Sequence, residues 1–488
     1  MANLDNLHFD NTYARLPDMF YRRVKPTVLP APYLVSFNKK AAELIGLDER
    51  EVSKPEFVEY FTGNKLLPNS EPISAIYAGH QFGTFVRQLG DGRAILLGEV
   101  VNEKGERFDI QLKGAGLTPF SRMGDGRAVL RSTVREYLCS EAMHALGIPT
   151  TRALCITGSD APVYRETIET AAVLTRLAPS HVRFGSFELF YYRGQYEQVR
   201  ELADYVISEF FPQFVEAENK YLQFLREVVH RTARLIAQWQ AVGFAHGVMN
   251  TDNMSIIGLT IDYGPFGFLD EFDAGFICNH SDYAGRYAFD QQPNVGLWNL
   301  YKLAQTLVPL IEPEEAEAVL GEYQMIFTEE FFKLMRAKLG LEKVFVEDTE
   351  IIHALLEILQ LSSVDYTRFF RRLSDFKTAE GEKNDALQGM FIDPKSFDNW
   401  AKVYLARLTK EASVDAERRK RMMLVNPKFV LRNHIAQTVI EQAQAGDYRE
   451  LNTLLEVLKK PFDEQPTMER LAEPPPEGIE RIAVSCSS

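Results

Sequence analysis

A long amphipathic pattern at 224–242 carries Leu225, Val228, Val229, Leu235, Ile236 and Trp239 on one face, which predicts a packed helix. It runs into the polar loop His246-Gly247-Val248-Met249-Asn250-Thr251-Asp252-Asn253, then into an apolar stretch expected to be a strand, then into Asp262-Tyr263-Gly264. On its own this is a helix-to-strand connection in which Asp252 stabilises a turn. Its placement after a β-rich half gives it more meaning.

Residues 94–112 alternate as two apolar strands around the turn Asn102-Glu103-Lys104-Gly105, and Lys113 ends the hairpin. A glycine-rich loop follows. Residues 131–146 then form a helix with Val134, Leu138 and Ala142 on one stripe, stopped by Gly147 and Pro149 and carrying Glu136. Further strands are predicted at 153–157 and 170–177, a helix at 197–210, and almost continuous helical period over 313–458 before a proline-rich loop or linker from 471. The fold class is α+β. A β-rich N-terminal lobe spans 1–190, a helical C-terminal lobe with its helical extension spans 191–470, and 471–488 is a flexible tail.

The residue order across the two halves matches the chemistry of phosphoryl-group enzymes. A strand-end lysine (Lys113) paired with a helix glutamate (Glu136) is the kinase arrangement for holding a lysine on phosphates. An asparagine (Asn253) and an aspartate (Asp262) then supply oxygen ligands for magnesium on those phosphates. Surface exposure is the commoner fate of a lone Lys or Glu, so it is the order of the four that carries the reading. Kinases also place an aspartate five residues before that asparagine to take the proton of the attacking hydroxyl. Here that position is Val248, which can neither accept a proton nor bind metal, and Asp252 is the nearest alternative. Two Gly-Asp-Gly-Arg segments, 90–93 and 124–127, flank the hairpin; glycines let backbone amides approach an anion beside an arginine. Arg176 and Arg183 follow between the lobes, where exposed salt-bridging arginines are the default.

With 54 basic and 68 acidic residues the net charge is −14, which argues against a nucleic-acid surface or an anionic membrane as partner. No basic leader precedes an apolar run and no stretch is long and apolar enough to span a bilayer, so a cytoplasmic setting is expected. Four cysteines without CxxC spacing argue against structural zinc. Cys278 follows Asp262 in a stretch that is mobile in kinases, and Cys486 lies beyond the linker, so the two have the reach to meet; free thiols are the cytosolic default.

Several stretches resemble the selenoprotein O family: 79–83 (Gly-His-Gln-Phe-Gly), 89–93, 111–116, 131–136, 246–253, 262–264 and the terminal Ser-Cys-Ser-Ser. The resemblance implies a protein-kinase-like two-lobe fold and an adenylyltransferase that binds ATP flipped relative to kinases. It would move AMP onto Ser, Thr or Tyr hydroxyls of protein substrates and release pyrophosphate. It further implies ATP with Mg2+ or Mn2+ as cofactors and a nucleotide site of Gly90, Gly92, Arg93, Lys113, Asp125, Gly126, Arg176, Arg183 and Asp262. Asn253 and Asp262 would lie on the metal, Asp252 would accept the proton and Glu136 would hold Lys113. A Cys278–Cys486 redox disulfide is implied as well, with Cys486 standing where eukaryotic members carry selenocysteine. A monomer is expected. The residues themselves leave open a small-molecule phosphotransferase and a nucleotide-sensing pseudokinase.

Overall fold

The computed structural model of the chain describes residues 2–476, 478, 482 and 484. Its first half is built on an eight-stranded antiparallel sheet in the order Tyr21–Arg23, Ile73–Ala75, Ala94–Val101, Arg107–Lys113, Ile168–Ala178, Arg152–Tyr164 and Tyr33–Phe37, with Ala128–Val129 paired to Ile168–Ala178. The predicted hairpin is present, with Ala94 opposite Lys113 and Val101 opposite Arg107. The two later strands run longer than their apolar cores suggested. From Lys220 onward the chain is mainly helical, and Pro313–Leu320 through Arg449–Leu458 form the expected helical extension.

Sheet register decides which polar side chains meet. Lys113 lies opposite Leu174 and Gln111 opposite Arg176, so Gln111, Lys113 and Arg176 share one face. The helix Leu130–Ala145 packs on that face. The sequence predicted one buried stripe, but every residue from Ser132 to Met143 is buried. The reason is that the sheet covers one side of the helix while Asn433–Gln444 and Arg449–Leu458 cover another.

Lys220–Val242 carries the apolar face read from the sequence and stops at Gly243, whose φ of 77° supplies the left-handed C-terminal cap. The apolar stretch after Asn253 is not a strand. Its backbone groups are taken by crossing segments instead: Phe184 N–H donates to Met254 O, Ile256 N–H to Val182 O and Thr151 N–H to Thr260 O, at 2.9 to 3.1 Å. The short pair beside the loop is Phe244–Ala245 with Gly267–Phe268. Among the described residues no helix is long and apolar enough to cross a membrane.

Candidate active site

Two buried polar knots face each other across a cleft of about 520 Å3. The first grows from the sheet. Glu136 reaches both cations of its face: Lys113 Nζ is 2.5 Å from Oε2, and Arg176 Nε donates to Oε1 at 2.5 Å. Arg176 also donates to Gln111 Oε1 at 3.1 Å. Burial favours a neutral Glu136, but Arg176 and Lys113 outweigh it and hold the carboxyl below its ordinary value. Burial brings Lys113 down to about 8, against the opposing pull of Glu136. The sequence expected Lys113 alone on Glu136; the structure makes it a shared partner.

The second knot is built on the loop. Trp239 stacks on the His246 ring at 5.3 Å, and its indole N–H donates to Thr260 Oγ1 at 3.0 Å. His246 Nε2 donates to Ile261 O at 2.9 Å while Nδ1 accepts from Val248 N–H at 3.3 Å, a pattern that needs the neutral ring favoured by its burial. His246 is therefore a brace that ties 246–248 to the backbone beside Asp262. Asn253 lies on the 3-10 turn Thr251–Asn253, not on a strand end, and its amide donates to Val248 O at 3.0 Å. Asp262 has left-handed backbone, φ 58°, at the cleft.

Arginines join the knots. Arg176 Nη2 lies 2.8 Å from Asp262 Oδ1, Arg183 pairs with Asp262 Oδ2, and Arg183 donates to Asp252 O at 2.6 Å. Arg183 also lies 4.9 Å over the Tyr77 ring and 3.9 Å from Asp91 Oδ1. The default of exposed arginines is overturned, since Arg176 and Arg183 are 3% and 2% exposed. They are buried because Glu136 and Asp262 supply compensating charge. Burial opposes the charge of Asp262, yet Arg183, Arg176 and Lys113 together hold it well below the usual carboxylate range.

Asp252 is the contrasting carboxylate. Burial pushes it up to about 7, offset in part by a hydrogen bond from Gln81 Nε2 to Oδ2 at 3.1 Å and by Arg183. Oδ1 is buried with no hydrogen-bond partner among the described residues. Asp252 and Asp262, neighbours in one cleft, are thus pushed in opposite directions by their surroundings. Val248 is 6% exposed and lines the same cleft.

Gly90, Gly92, Arg93, Lys113, Asp125, Gly126, Arg176, Arg183, Asp252, Asn253 and Asp262 all line this cleft, and Glu136 stands behind Lys113. Asp125 sits on its exposed rim, paired with Arg165 at 2.8 Å. Gly126 admits no side chain, because a Cβ there would lie 2.1 Å from Gly116 O. Sequence reasoning gave no role to Tyr77, Gln81, Asp91, Asn250 or Arg165. Gln81 had a signal in the two glycines that bracket His80-Gln81-Phe82, Asp91 in the first Gly-Asp-Gly-Arg segment and Asn250 in the polar loop 246–253. Cys278 is buried behind the loop, where a Cβ on Gly247 would lie 2.6 Å from its sulfur. Cys486 lies outside the described residues, although nearby Val484 bridges Asn279.

Asn253 and Asp262 offer a hard cation oxygen ligands: the Asn253 amide nitrogen is committed to Val248 O, which leaves its oxygen as the ligating end. Two protein ligands suit a magnesium-like ion completed by phosphate oxygens and water. Among the described residues no cluster of three or more His, Cys, Asp or Glu side chains forms a self-sufficient cage.

The family profile described as "Protein adenylyltransferase SelO" matches residues 3–459. The chain belongs to the SelO family. Among the SelO relatives is a protein of Myxococcus xanthus (strain DK1622) named "Protein nucleotidyltransferase YdiU", 58% identical with both chains covered in full. Proteins of the same name from Thiobacillus denitrificans and Thioalkalivibrio sulfidiphilus are each 56% identical, again with both chains covered in full. SelO membership makes the chain a nucleotidyltransferase by class.

Proposed function

We propose that this chain transfers AMP from ATP to Ser, Thr or Tyr hydroxyls of proteins, in a kinase-like scaffold divided into lobes 1–190 and 191–470 with a tail at 471–488. One observation supports the reading: Asp252, a buried carboxylate pushed up to about 7 with an unpartnered Oδ1, shares its cleft with Val248 and with three buried cations, Lys113, Arg176 and Arg183.

In this reading the β- and γ-phosphates of ATP lie on Lys113, Arg176 and Arg183, while Gly90, Gly92, Arg93, Asp125 and Gly126 contact the rest of the nucleotide. The acceptor oxygen attacks the α-phosphorus, and its proton passes to Asp252. The bond between the α-phosphorus and the bridging oxygen to the β-phosphate breaks, and pyrophosphate leaves with the electron pair. Preorganised cations at the leaving group stabilise the charge that develops there, typically about 3 to 4 kcal/mol for one well-placed donor. Mg2+ or Mn2+ held by Asn253 and Asp262 would neutralise phosphate charge. Glu136 keeps Lys113 and Arg176 in place.

ATP labelled on the α-phosphate, and separately on the γ-phosphate, tests the proposal. Label retained on protein from the α position and not the γ position is expected, lost in Asp252→Asn and in Asp262→Ala with folding intact. Label from the γ position alone would make the chain a phosphotransferase. ATP binding with neither label retained would make it a nucleotide sensor.

A further inference from the structure

Phe82 and Gly83 join the short strands Gly79–Gln81 and Thr84–Val86 with φ of 49° and 82°. A two-residue hairpin loop of this kind needs positive φ at both central residues, and Asn, Asp or Gly ordinarily takes the first. A bulky side chain there is strained, and strain of this kind collects at functional sites among other places. The Phe82 ring is 41% exposed and packs 5.1 Å from the Tyr287 ring.

Phe82 forms one wall of a second depression, about 690 Å3, with Arg286 and Trp298 beside it and the 89% exposed Tyr283 at its rim. The Arg286 guanidinium lies 4.5 Å over the Trp298 ring, and Lys302 Nζ lies 5.0 Å from the same ring. Among the described residues neither cation has a carboxylate within ion-pairing distance, and Arg286 Nε is buried without a hydrogen-bond partner. The buried Asp282, which lines the same depression, spends its oxygens on the backbone N–H groups of Arg286 and Tyr287 at 3.0 and 2.7 Å. On a chain of net charge −14, two cations over the half-buried Trp298 ring, beside the exposed Phe82 and Tyr283, are complementary to an acidic, partly apolar polypeptide.

The hairpin links this depression to the active-site cleft. Gln81 bonds Asp252, Phe82 N–H donates to Asn250 Oδ1 at 3.2 Å, and a Cβ on Gly83 would lie 3.3 Å from Arg286 Cζ. Three consecutive residues therefore lead from the proton acceptor to the guanidinium. We propose that the depression docks the acceptor polypeptide, and that Arg286 and Lys302 select a segment carrying Asp or Glu close in sequence to the modified hydroxyl. The proposal rests on the transfer reading above and names its substrate class.

Two fluorescein-labelled peptides test it, identical but for glutamates or lysines flanking a single serine. Their binding to the full-length chain is followed by anisotropy at low and moderate salt. The acidic peptide is expected to bind about tenfold more tightly, with the advantage shrinking as salt rises. Arg286→Ala with Lys302→Ala should abolish the preference and leave the KM for ATP unchanged. Arg286→Glu should shift preference toward the lysine peptide, a gain that misfolding cannot mimic. Equal binding of the two peptides to the wild-type chain, or an unchanged preference in the double variant, overturns the proposal. Uptake of α-phosphate label by the same peptides is read separately. An acidic peptide that binds selectively but is never labelled sinks the transfer reading alone, and labelling with no charge preference sinks the docking reading alone.

Discussion

Gln81 Nε2 donates to Asp252 Oδ2 at 3.1 Å, a contact made across 171 residues of chain. It leaves Oδ1 without a hydrogen-bond partner, and it favours the charged form of a carboxyl that burial has pushed up to about 7. Gln81→Ala is expected to lower kcat for AMP transfer by on the order of tenfold, with the KM for ATP nearly unchanged, because in the proposed reading the residue orients the proton acceptor and not the nucleotide. Initial rates at saturating and limiting ATP separate the two effects.

Gly79, in the same hairpin, also lies against the loop. A Cβ there would lie 2.6 Å from Asp252 Oδ1 and 2.9 Å from Asp252 Cβ, too close for either to stay where it is. Gly79→Ala should therefore displace the carboxylate and reduce transfer on the order of a hundredfold. ATP affinity, which in the proposed reading rests largely on Lys113, Arg176, Arg183 and the glycine-rich segments, should hold in a calorimetric titration.

Glu136 neutralises two buried cations at once. Glu136→Ala leaves Lys113 and Arg176 without their shared partner, and loss of one side of a buried ion pair costs about 3 to 5 kcal/mol. Chemical denaturation should show a loss of at least that size. Lys113→Met, which removes one of the two cations, should cost less.

Lys113 gives a pH dependence whose sign follows from its burial. Its pKa is brought down from 10.5 to about 8, so the ammonium is charged below that pH and neutral above it. ATP affinity is expected to weaken as pH rises through about 8. Lys113→Arg should bind ATP with little change across the same range, since a guanidinium stays protonated. Titrations from pH 6.5 to 9.5 read both curves.

The sequence displayed the parts of this site that obey local rules. Lys113 ends an alternating strand, Glu136 sits in a capped helix, and Asn253 and Asp262 follow a strong helical period, so their order alone suggested where they meet. The buried arginines were harder to read, because an arginine between two lobes is ordinarily exposed and only the register of Gln111 with Arg176 brings Arg176 onto the face of Glu136. Gln81 and Asn250 were out of reach for a related reason: their roles come from contacts 171 and 168 residues away, which leave no periodicity behind. The apolar stretch after Asn253 looked like a strand because apolar runs of that length are ambiguous until the crossing segments that take their hydrogen bonds are known.

The helix that carries Glu136 lies between the sheet and Asn433–Gln444 with Arg449–Leu458, elements made some 300 residues after it. Arg135 reinforces that closure by donating to Asn433 Oδ1 at 3.2 Å. The two sides of the Glu136 helix are thus supplied by opposite ends of the chain: a chain that has reached the loop at 246–253 carries Lys113, Glu136 and Asp252 but not yet the helices Asn433–Gln444 and Arg449–Leu458 that pack on the back of the Glu136 helix.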